Sequence, residues 1–452
     1  MKGIQLMTDR DHSLSEFEIF PAEKMARADR LLIGDKPRTG FLGFGAALTP
    51  SSCYNLNLME KGEREKLLKH LYSPEGLNLS VARLCIGSSD YSPELYSYDD
   101  TPFDTELRDF SVKRDEAYII PMIREVLKIR PDLYLFASPW SPPGWMKTGG
   151  NLCGGYMREK YLDCYADYTV KFLQAYATYG IRISAITPQN EPNTHQKGLM
   201  PACIWHPETE AKYVKLLRKK LDAAGLDVKI FLYDHGFSDA GRVLWALENI
   251  KGLSRACDGV AFHYYAGTIE ETLPIRKKFP ELPLHFTEGG PRLYDHYDSD
   301  WCKWAIMISK AITCGYSSFT GWNLLLDERG GPNIGPFFCG GLLTRNSESG
   351  ALSESGQYRA LSHIAKYITP QSKLYPVAVG EEYAQQMSSY PKDKKEIYGF
   401  AIENEGTEFV LIAVNPNADK SQVQFSVHGQ SYYAELMPES VSTMIIKGEK
   451  RC

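Results

Sequence analysis

The 452-residue sequence lacks the features of several protein classes. Its net charge is −5, so it has no excess of positive charge for nucleic acid or an anionic membrane surface. No run reaches the roughly 18 apolar residues that a membrane span needs. The first residues, MKGIQLMTDRDHSL, lack the apolar stretch of a secretory signal. The sequence thus predicts a cytoplasmic protein without a nucleic-acid partner or membrane insertion, and it leaves the oligomeric state open.

Metal-binding patterns are missing as well. The ten cysteines include no C-x-x-C pair and no zinc spacing, and several, such as Cys85 in ARLCIG, lie in apolar runs. Buried reduced thiols are the expectation. His195 and His206 have neither an H-x-x-x-H nor an H-x-x-E-H context. We therefore predict no metal site and no cofactor.

Alternating strands and helices are what the sequence does contain. Short apolar runs alternate with amphipathic spacers, for example residues 158–179 and 208–224. Eight candidate strands begin at Phe41, Leu79, Leu133, Ile183, Lys229, Gly259, Leu284 and Ser317. Eight strands with crossover helices predict an α/β fold, a (β/α)₈ TIM barrel over residues 41–368. A doubly wound open sheet is the alternative, but GFGAALTP is not a G-x-G-x-x-G phosphate turn.

The character of the sequence changes after this segment. Residues 369–452 contain runs rich in β-branched and aromatic residues, such as EFVLIAVNPN and SVSTMIIKG, separated by turn clusters. This pattern predicts a C-terminal β-sandwich domain. The N-terminal segment 1–40 is expected to contribute to it, with a strand in FEIFPAEKM.

Two glutamates follow predicted strands that lie three strands apart. Glu191 stands in ITPQNEP and Glu288 in FTEGG. Because reactive groups of such barrels sit at the carboxyl ends of strands, both should face the same opening. Paired carboxylates, one protonated and one ionised, are the equipment for cleaving a glycosidic bond. We expect Pro192 to hold Glu191 extended.

The other predicted strand ends carry polar and aromatic side chains. Indole rings stack on the C–H faces of sugars, and a few fixed polar groups bind the hydroxyls. A tyrosine hydroxyl at a strand end, for which we choose Tyr265, is predicted to keep Glu288 ionised and oriented. The strand-end candidates for substrate binding are Asp90, Trp140, Asn190, His263, Tyr265 and Trp322.

Taken together, these motifs resemble glycoside hydrolase family 30, the family of lysosomal acid β-glucosidase. The most specific pieces are YSYDDTPFDTEL, ASPWSPPGWMKTGG, ITPQNEP, FTEGG and GWNLLLDERGGPN. The resemblance implies a (β/α)₈ barrel with a β-sandwich built from both chain ends. It implies that Glu191 is the acid/base and Glu288 the nucleophile of a retaining mechanism. It also implies glycone contacts from Asp90, Trp140, Asn190 and Trp322, support from His263 and Tyr265 beside the nucleophile, and a buried Arg83 under the site.

Two segments depart from the pattern of the lysosomal enzyme. Gly-Gly-Pro follows Glu288 where that enzyme has Ala-Cys, and PNIGPFFCG lacks the polar residue expected near Phe337. The expected function is a retaining β-glucosidase of the glucosylceramidase type, acting on a carbohydrate or glycoside substrate. A β-1,6-glucanase or β-xylosidase of the same family remains open, as does a non-catalytic carbohydrate-binding barrel. A metal-dependent hydrolase is the third class of function considered for this sequence.

Overall fold

The computed structural model describes residues 3–21, 28–380, 396–404 and 408–447. These residues divide into two compact units. One contains residues 44–294 and 318–353, and the other the described parts of 1–43, 295–317 and 354–452. Within the described ranges, no helix is both long and apolar enough to cross a bilayer.

The strands lie mostly where apolar runs occur in the sequence. In chain order they are β1 (Gly3–Thr8), β2 (Ser15–Ile19), β3 (Asp29–Ile33), β4 (Phe44–Ala47), β5 (Val81–Ile86), β6 (Tyr134–Pro139), β7 (Ala185–Ile186), β8 (Lys229–Gly236), β9 (Gly259–His263), β10 (Leu284–Glu288), β11 (Tyr316–Gly321), β12 (Leu325–Asp327), β13 (Leu343–Arg345), β14 (Leu352–Glu354), β15 (Lys373–Val379), β16 (Tyr398–Glu403), β17 (Glu408–Asn415), β18 (Ser421–Val427), β19 (Gln430–Leu436) and β20 (Ser440–Lys447).

The α-helices connect these strands or follow them. They are α1 (Pro50–Asn57), α2 (Lys61–Tyr72), α3 (Ile119–Ile129), α4 (Leu162–Thr178), α5 (Pro207–Ala223), α6 (Ala240–Asn249), α7 (Leu253–Ala256), α8 (Leu273–Lys278), α9 (Trp301–Thr313) and α10 (Gly356–Ile364).

Strands β4 to β11 close into a barrel in the order β10-β11-β4-β5-β6-β7-β8-β9. Neighbouring strands are parallel, as the predicted (β/α)₈ fold requires, and β5, β9 and β10 are buried along their whole length. Gly45 allows β4 to approach β5, because a Cβ atom there would lie 1.9 Å from the Val81 carbonyl oxygen. The barrel prediction is confirmed.

One barrel strand is much shorter than predicted. We expected a strand from Ile183 into the ITPQNEP segment, but β7 contains only Ala185 and Ile186. Pro188 and Pro192 have no amide hydrogen to donate to a neighbouring strand, so regular pairing cannot continue through them. The segment that carries Glu191 is therefore a loop.

Helix α5 shows why the spacers between strands are helical. It begins with Pro207, whose missing amide hydrogen is not needed at a helix start, and Glu208 follows in the first turn. Val214, Leu217 and Leu221 recur at three and four positions and are buried. This apolar stripe faces away from solvent.

Strands from both chain ends form a nine-stranded sheet in the order β19-β18-β3-β15-β16-β17-β20-β1-β2. Its terminal strand β19 also packs against β2, β17 and β20, so the sheet folds over into two layers. Leu31, Phe409, Val423, Tyr432 and Met444 contribute to the core between the layers. The prediction of an appended all-β part built from both termini is confirmed. Of the predicted FEIFPAEKM strand, β2 contains only the first residues, and 22–25 lie outside the described residues.

The cysteines are free thiols wherever the structure describes them: Cys53, Cys85, Cys153, Cys164, Cys203, Cys257, Cys302, Cys314 and Cys339. Cys452 lies outside the described residues.

Candidate active site

A pocket opens at the carboxyl ends of the barrel strands. Seven of the sequence-predicted residues line it: Asp90, Trp140, Asn190, Glu191, Tyr265, Glu288 and Trp322. Arg83 and His263 are fully buried and contact the two glutamates without lining the pocket. His263 thus lies in the layer that supports the carboxylates, deeper than the substrate-binding position predicted for it.

The two glutamates come close together. A carboxylate oxygen of Glu191, one of Glu288 and a ring nitrogen of His263 all lie within 4.8 Å of one another. Glu288 ends strand β10, and Glu191 lies in the loop after β7. Two residues that are 97 positions apart in the sequence therefore place their carboxylates next to each other in the pocket.

Arg83 organises the floor of the pocket. Its Nη1 donates to Glu288 Oε2, and its Nη2 donates to Asn190 Oδ1 at 2.8 Å and to Asp234 Oδ2 at 2.7 Å. Arginine carries only donors, so the Asn190 amide oxygen must face it. The Asn190 Nδ2 group is then the donor available to a ligand.

Asp234 was not among the sequence-predicted residues, yet it is the centre of the buried network. Its carboxylate is fully buried, and the charges of Arg83 and His263 overcome the cost of burial and keep the pKa of Asp234 well below its usual range. It is positioned by an irregularity of β8, where Tyr233 and Asp234 have φ of 78° and 66° and the register with β9 shifts. The side chains that contact this carboxylate are Arg83, Ser138, Thr187, His263 and Thr287.

The backbone of Glu191 is not extended, which corrects our expectation from Pro192. Glu191 has φ of 50°, in the left-handed region. Its amide donates to the Asp234 carbonyl oxygen at 3.0 Å, and its own carbonyl accepts from the Thr194 amide at 3.3 Å. These tertiary bonds overcome the local preference of a residue before proline.

Three side chains surround the Glu191 carboxylate. His263 Nδ1 lies 3.3 Å and His235 Nε2 3.5 Å from Oε1, while Gln196 Nε2 donates to Oε2. Burial opposes the charge, but His235, His263 and Gln196 outweigh it and lower the pKa of Glu191 to about 2. These neighbours favour the ionised form of Glu191.

The pKa of Glu288 shifts in the opposite direction to that of Glu191. Burial raises the pKa of Glu288 above its ordinary value, and the charges of His263 and Arg83 oppose this rise. The two carboxylates repel each other, so their surroundings push the two pKa values apart. These shifts favour the charge on Glu191 and disfavour it on Glu288, which is the reverse of the protonation states that the roles implied by the resemblance need before the first step.

His263 acts as a buried cation between the carboxylates. Burial would lower its pKa, but Glu288, Asp234 and Glu191 raise it to about 9. Glu191, His263 and Glu288 are close enough to hold a metal ion. However, both ring nitrogens of His263 face carboxylates and Glu288 already pairs with Arg83, so this chemistry favours an ion-pair cluster over metal ligation.

One end of the pocket is aromatic with one buried acid. Trp140 and Trp322 stack at 5.1 Å between ring centroids, and the guanidinium of Arg83 lies 4.7 Å from the Trp140 centroid. Asp90 is buried, and its Oδ1 has no hydrogen-bond partner among the described residues. Burial, together with Glu288 and Glu191, keeps the pKa of Asp90 well above its usual range. This end offers a hydroxyl-binding group without a protein partner.

Tyr265 lies beside Glu288, and its predicted role in orienting that carboxylate stays a prediction. The hydroxyl has no partner with full hydrogen-bond geometry within the described parts of the chain, while burial and the charge of Glu288 raise its pKa. The anchor of Glu288 is Arg83.

Known families can now be compared with this fold and site. The family model described as the glycosyl hydrolase family 30 TIM-barrel domain matches residues 41–368. The chain belongs to glycosyl hydrolase family 30. The resemblance seen in the motifs is thereby confirmed, and the chain is a glycosidase.

Curated members of family 30 differ in what they cleave. The lysosomal acid glucosylceramidase of Mus musculus is 28% identical over 364 residues, covering 75% of this chain and 70% of that protein. The endo-1,6-β-D-glucanase of Neurospora crassa is 30% identical over 356 residues, covering 75% and 73%. Among solved structures, the endo-β1,6-glucanase BT3312 has a TM-score of 0.84 at 26% identity, covering 98% of this chain and 99% of that chain.

The mouth of this family 30 pocket contains residues that sequence reasoning missed. Arg292 donates to the Tyr294 hydroxyl at 2.6 Å, and Tyr294 and Phe338 are 66% and 61% exposed. Phe338 stands in the departing segment PNIGPFFCG, and Arg292 and Tyr294 follow shortly after the departing Gly-Gly-Pro, so these departures were the available signal. The missed lining residues are Gln196, Met200, His235, Arg292, Tyr294, Phe337, Phe338 and Cys339.

Proposed function

We propose that this family 30 enzyme is a retaining β-glycosidase that releases β-linked glucose by double displacement. The observation that carries the proposal is the approach of the Glu191 and Glu288 carboxylate oxygens to within 4.8 Å. Retaining glycosidases keep their two carboxyl groups about 5–5.5 Å apart, whereas inverting enzymes need about 6.5–9.5 Å to admit a water.

In the first step, a Glu288 oxygen attacks the anomeric carbon as the bond from that carbon to the leaving oxygen breaks. Glu191, which has to take up a proton when the glycoside binds, transfers that proton to the leaving oxygen, so the aglycone departs as an alcohol. Glu288 suits the attacking role because Arg83 fixes it on the pocket floor. Glu191 suits the proton-transfer role because it lies on a loop, and 13% of its side chain is exposed against 7% for Glu288.

In the second step, Glu191 is ionised and takes a proton from water, whose oxygen attacks the anomeric carbon. The bond to Glu288 breaks, and the sugar leaves with its original configuration. The donors around Glu191 favour this charged form. Asn190 Nδ2 is free to hold the 2-hydroxyl through both steps.

The glycone pocket supports a hexose. Asp90 presents a buried oxygen that is free to bind a hydroxyl, and Trp140 and Trp322 provide flat apolar surface. Contacts of this kind to the 4- and 6-hydroxyls distinguish glucose from xylose, which has no C6.

A β-1,6-glucanase is the second candidate. The exposed rings of Tyr294 and Phe338 at the pocket mouth are suited to stacking on a further sugar, and two of the relatives above carry that activity in their names. A sugar leaving group would use these rings more fully than a lipid chain.

A panel of aryl β-D-glucoside, xyloside, galactoside and fucoside, followed by gentiobiose and laminaribiose, tests the substrate. The proposal expects the glucoside to have the highest kcat/KM, and the second candidate expects preference for gentiobiose. Proton NMR of the first product should show the β-anomer before mutarotation. An α-anomer as the first product would refute the retaining mechanism.

The Glu288→Gln and Glu191→Gln variants test the roles. Glu288→Gln should be inactive on every glycoside, and Glu288→Gly with azide should give the inverted glycosyl azide. Glu191→Gln should lose about 10²–10⁴-fold on poor leaving groups but still form glycosyl-enzyme from activated aryl glycosides. Wild-type turnover by Glu288→Gln would exclude the assignment.

A further inference from the structure

Gln196 hydrogen-bonds the side chain of Glu191, the proposed acid, at an oxygen that proton transfer would use. It lies in the loop after β7, lines the pocket, and donates through Nε2 to Glu191 Oε2. The mechanism above gives it no task.

The two oxygens of Glu191 have different neighbours. Oε1 lies within reach of His263 Nδ1 and His235 Nε2, at 3.3 and 3.5 Å. Among the described residues, the hydrogen bond to Oε2 comes from Gln196. A leaving-group oxygen arriving at Oε1 would have to displace a fully buried imidazole, whereas at Oε2 it has to displace only a pocket-lining amide. Oε2 is therefore the oxygen suited to proton transfer.

The Gln196 amide group and the leaving-group oxygen would have opposite effects on the protonation of Glu191. The Gln196 amide group is a donor and favours the ionised carboxylate. The leaving-group oxygen is an acceptor and favours the protonated carboxylic acid. Replacement of the Gln196 amide group by the leaving-group oxygen would therefore favour the protonated Glu191 that the first step needs.

We propose that Gln196 is a positioning residue that holds Glu191 charged in the empty pocket and is replaced at Oε2 by the leaving-group oxygen. This inference rests on the proposed acid/base role of Glu191. It explains how a carboxylate surrounded by donors becomes a proton donor only when a glycoside is bound.

The loop backbone fits a segment with a second arrangement. Gln196, Lys197 and Gly198 are successive residues with φ of 48°, 52° and 70°. Left-handed backbone at the two non-glycine positions costs free energy, so the empty-pocket arrangement is held by contacts such as the one to Glu191.

Removing Gln196 leaves the titratable neighbours of Glu191 in place. Because glutamine is neutral, the substitution Gln196→Ala changes one hydrogen bond and no charge. The groups that face or influence Glu191 electrostatically are His235, His263, Glu288, Asp90 and Tyr265.

The test compares Gln196→Ala and Gln196→Glu with wild type and with Leu199→Ala, an exposed control on the same loop. The pH profile of kcat/KM is measured on a phenyl glycoside, which needs protonation to leave, and on a 2,4-dinitrophenyl glycoside, which does not. The alkaline limb reports loss of the acid's proton. With the phenyl glycoside it should move up by about one pH unit in Gln196→Ala, and further in Gln196→Glu, whose charge repels that of Glu191.

The dinitrophenyl glycoside and Leu199→Ala should give wild-type profiles. Coincident alkaline limbs for wild type and Gln196→Ala, or equal loss on both glycosides, would overturn the inference. Labelling of Glu288 by a 2-deoxy-2-fluoro glycoside keeps the two proposals apart. If wild type is labelled but the limbs coincide, only the role of Gln196 fails, whereas absence of labelling in wild type refutes the proposed function.

Discussion

Asp234 is the residue on which the carboxylate pair depends. It makes no contact with the pocket surface, yet it holds Arg83 and His263, and these two cations hold Glu288 and Glu191. An ionised carboxylate without solvent is stable only when it is fully paired. Its partners reach it from several strands, so the network also ties the barrel together.

Asp234→Asn should therefore reduce both stability and activity. Removing the carboxylate charge takes one buried partner from both Arg83 and His263 and costs about 3–5 kcal/mol of unfolding free energy. Loss of its orientation should lower kcat by about 100-fold. Urea denaturation and steady-state kinetics measure the two effects. The exposed Asp227→Asn is the control and should change stability by less than about 1 kcal/mol. A variant as stable as this control would contradict the role of Asp234.

His263 makes stability depend on pH above neutrality. Its folded pKa of about 9 exceeds the ordinary value of 6.5, so its contribution is complete below 6.5 and is lost as pH rises through 9. The loss amounts to about 3 kcal/mol over this window. Thermal unfolding of His263→Gln should show a flatter decline between pH 6.5 and 9 than wild type. Parallel curves would show that His263 is neutral in the folded protein.

At the site, sequence reasoning found the residues that end strands, and it found Glu191 through its ITPQNEP motif although that residue lies in a loop, but it missed Asp234 and Gln196. Glu288 and Trp140 follow clear apolar runs, so the strand-end rule locates them. Asp234 also ends such a run, but its inward position depends on the left-handed residues of β8. Gln196 is in the loop, where no periodicity predicts direction.

Within the β unit, helix α10 buries a histidine against strands β1 and β20. His363 Nε2 and Nδ1 lie 2.8 Å from the hydroxyl oxygens of Thr8 and Thr443. Burial lowers the pKa of His363 to about 3. Its neutral ring links an element from each chain end to the helix.

The stability of the protein should fall in acid because of His363 in this helix. Between pH 6.5 and 3 the unfolded chain binds a proton at His363 that the folded chain does not, so stability falls as pH falls through this window. The slope from this residue is about 1.4 kcal/mol per pH unit. His363→Gln removes it, and thermal unfolding from pH 7 to 4 should decline less steeply than in wild type. An unchanged slope would mean that His363 titrates in the folded state.

The elements that were predicted best from the sequence each show a single clear pattern of apolar residues. The buried barrel strands and the amphipathic α4 and α5 lie close to their predicted positions. Strand β1 was missed because GIQLMT is short and mixes polar with apolar residues, and its partner β20 comes from distant sequence. The small sheet β12-β13-β14 was missed for the same reason.

Across the molecule, stability comes from packing without covalent cross-links in the part that the structure describes. Burial raises the pKa of thiols such as Cys53, Cys85 and Cys257, which makes them unreactive. A reductant should leave the thermal midpoint unchanged. In native protein, a thiol reagent should label Cys153, Cys164 and Cys302 before the buried cysteines, as peptide mapping would show. A lower midpoint in reductant would contradict this prediction.

The irregularity of β8 has a consequence for how this protein tolerates change in length. Side chains of a strand alternate between inside and outside, so the loss of one residue near Tyr233 would exchange the two faces beyond that point. A phenol ring would then take the place of the aspartate, and the guanidinium beneath the pocket would lose one of its two counter-ions. Homologues with a shortened fifth barrel strand should therefore have lost this arginine too.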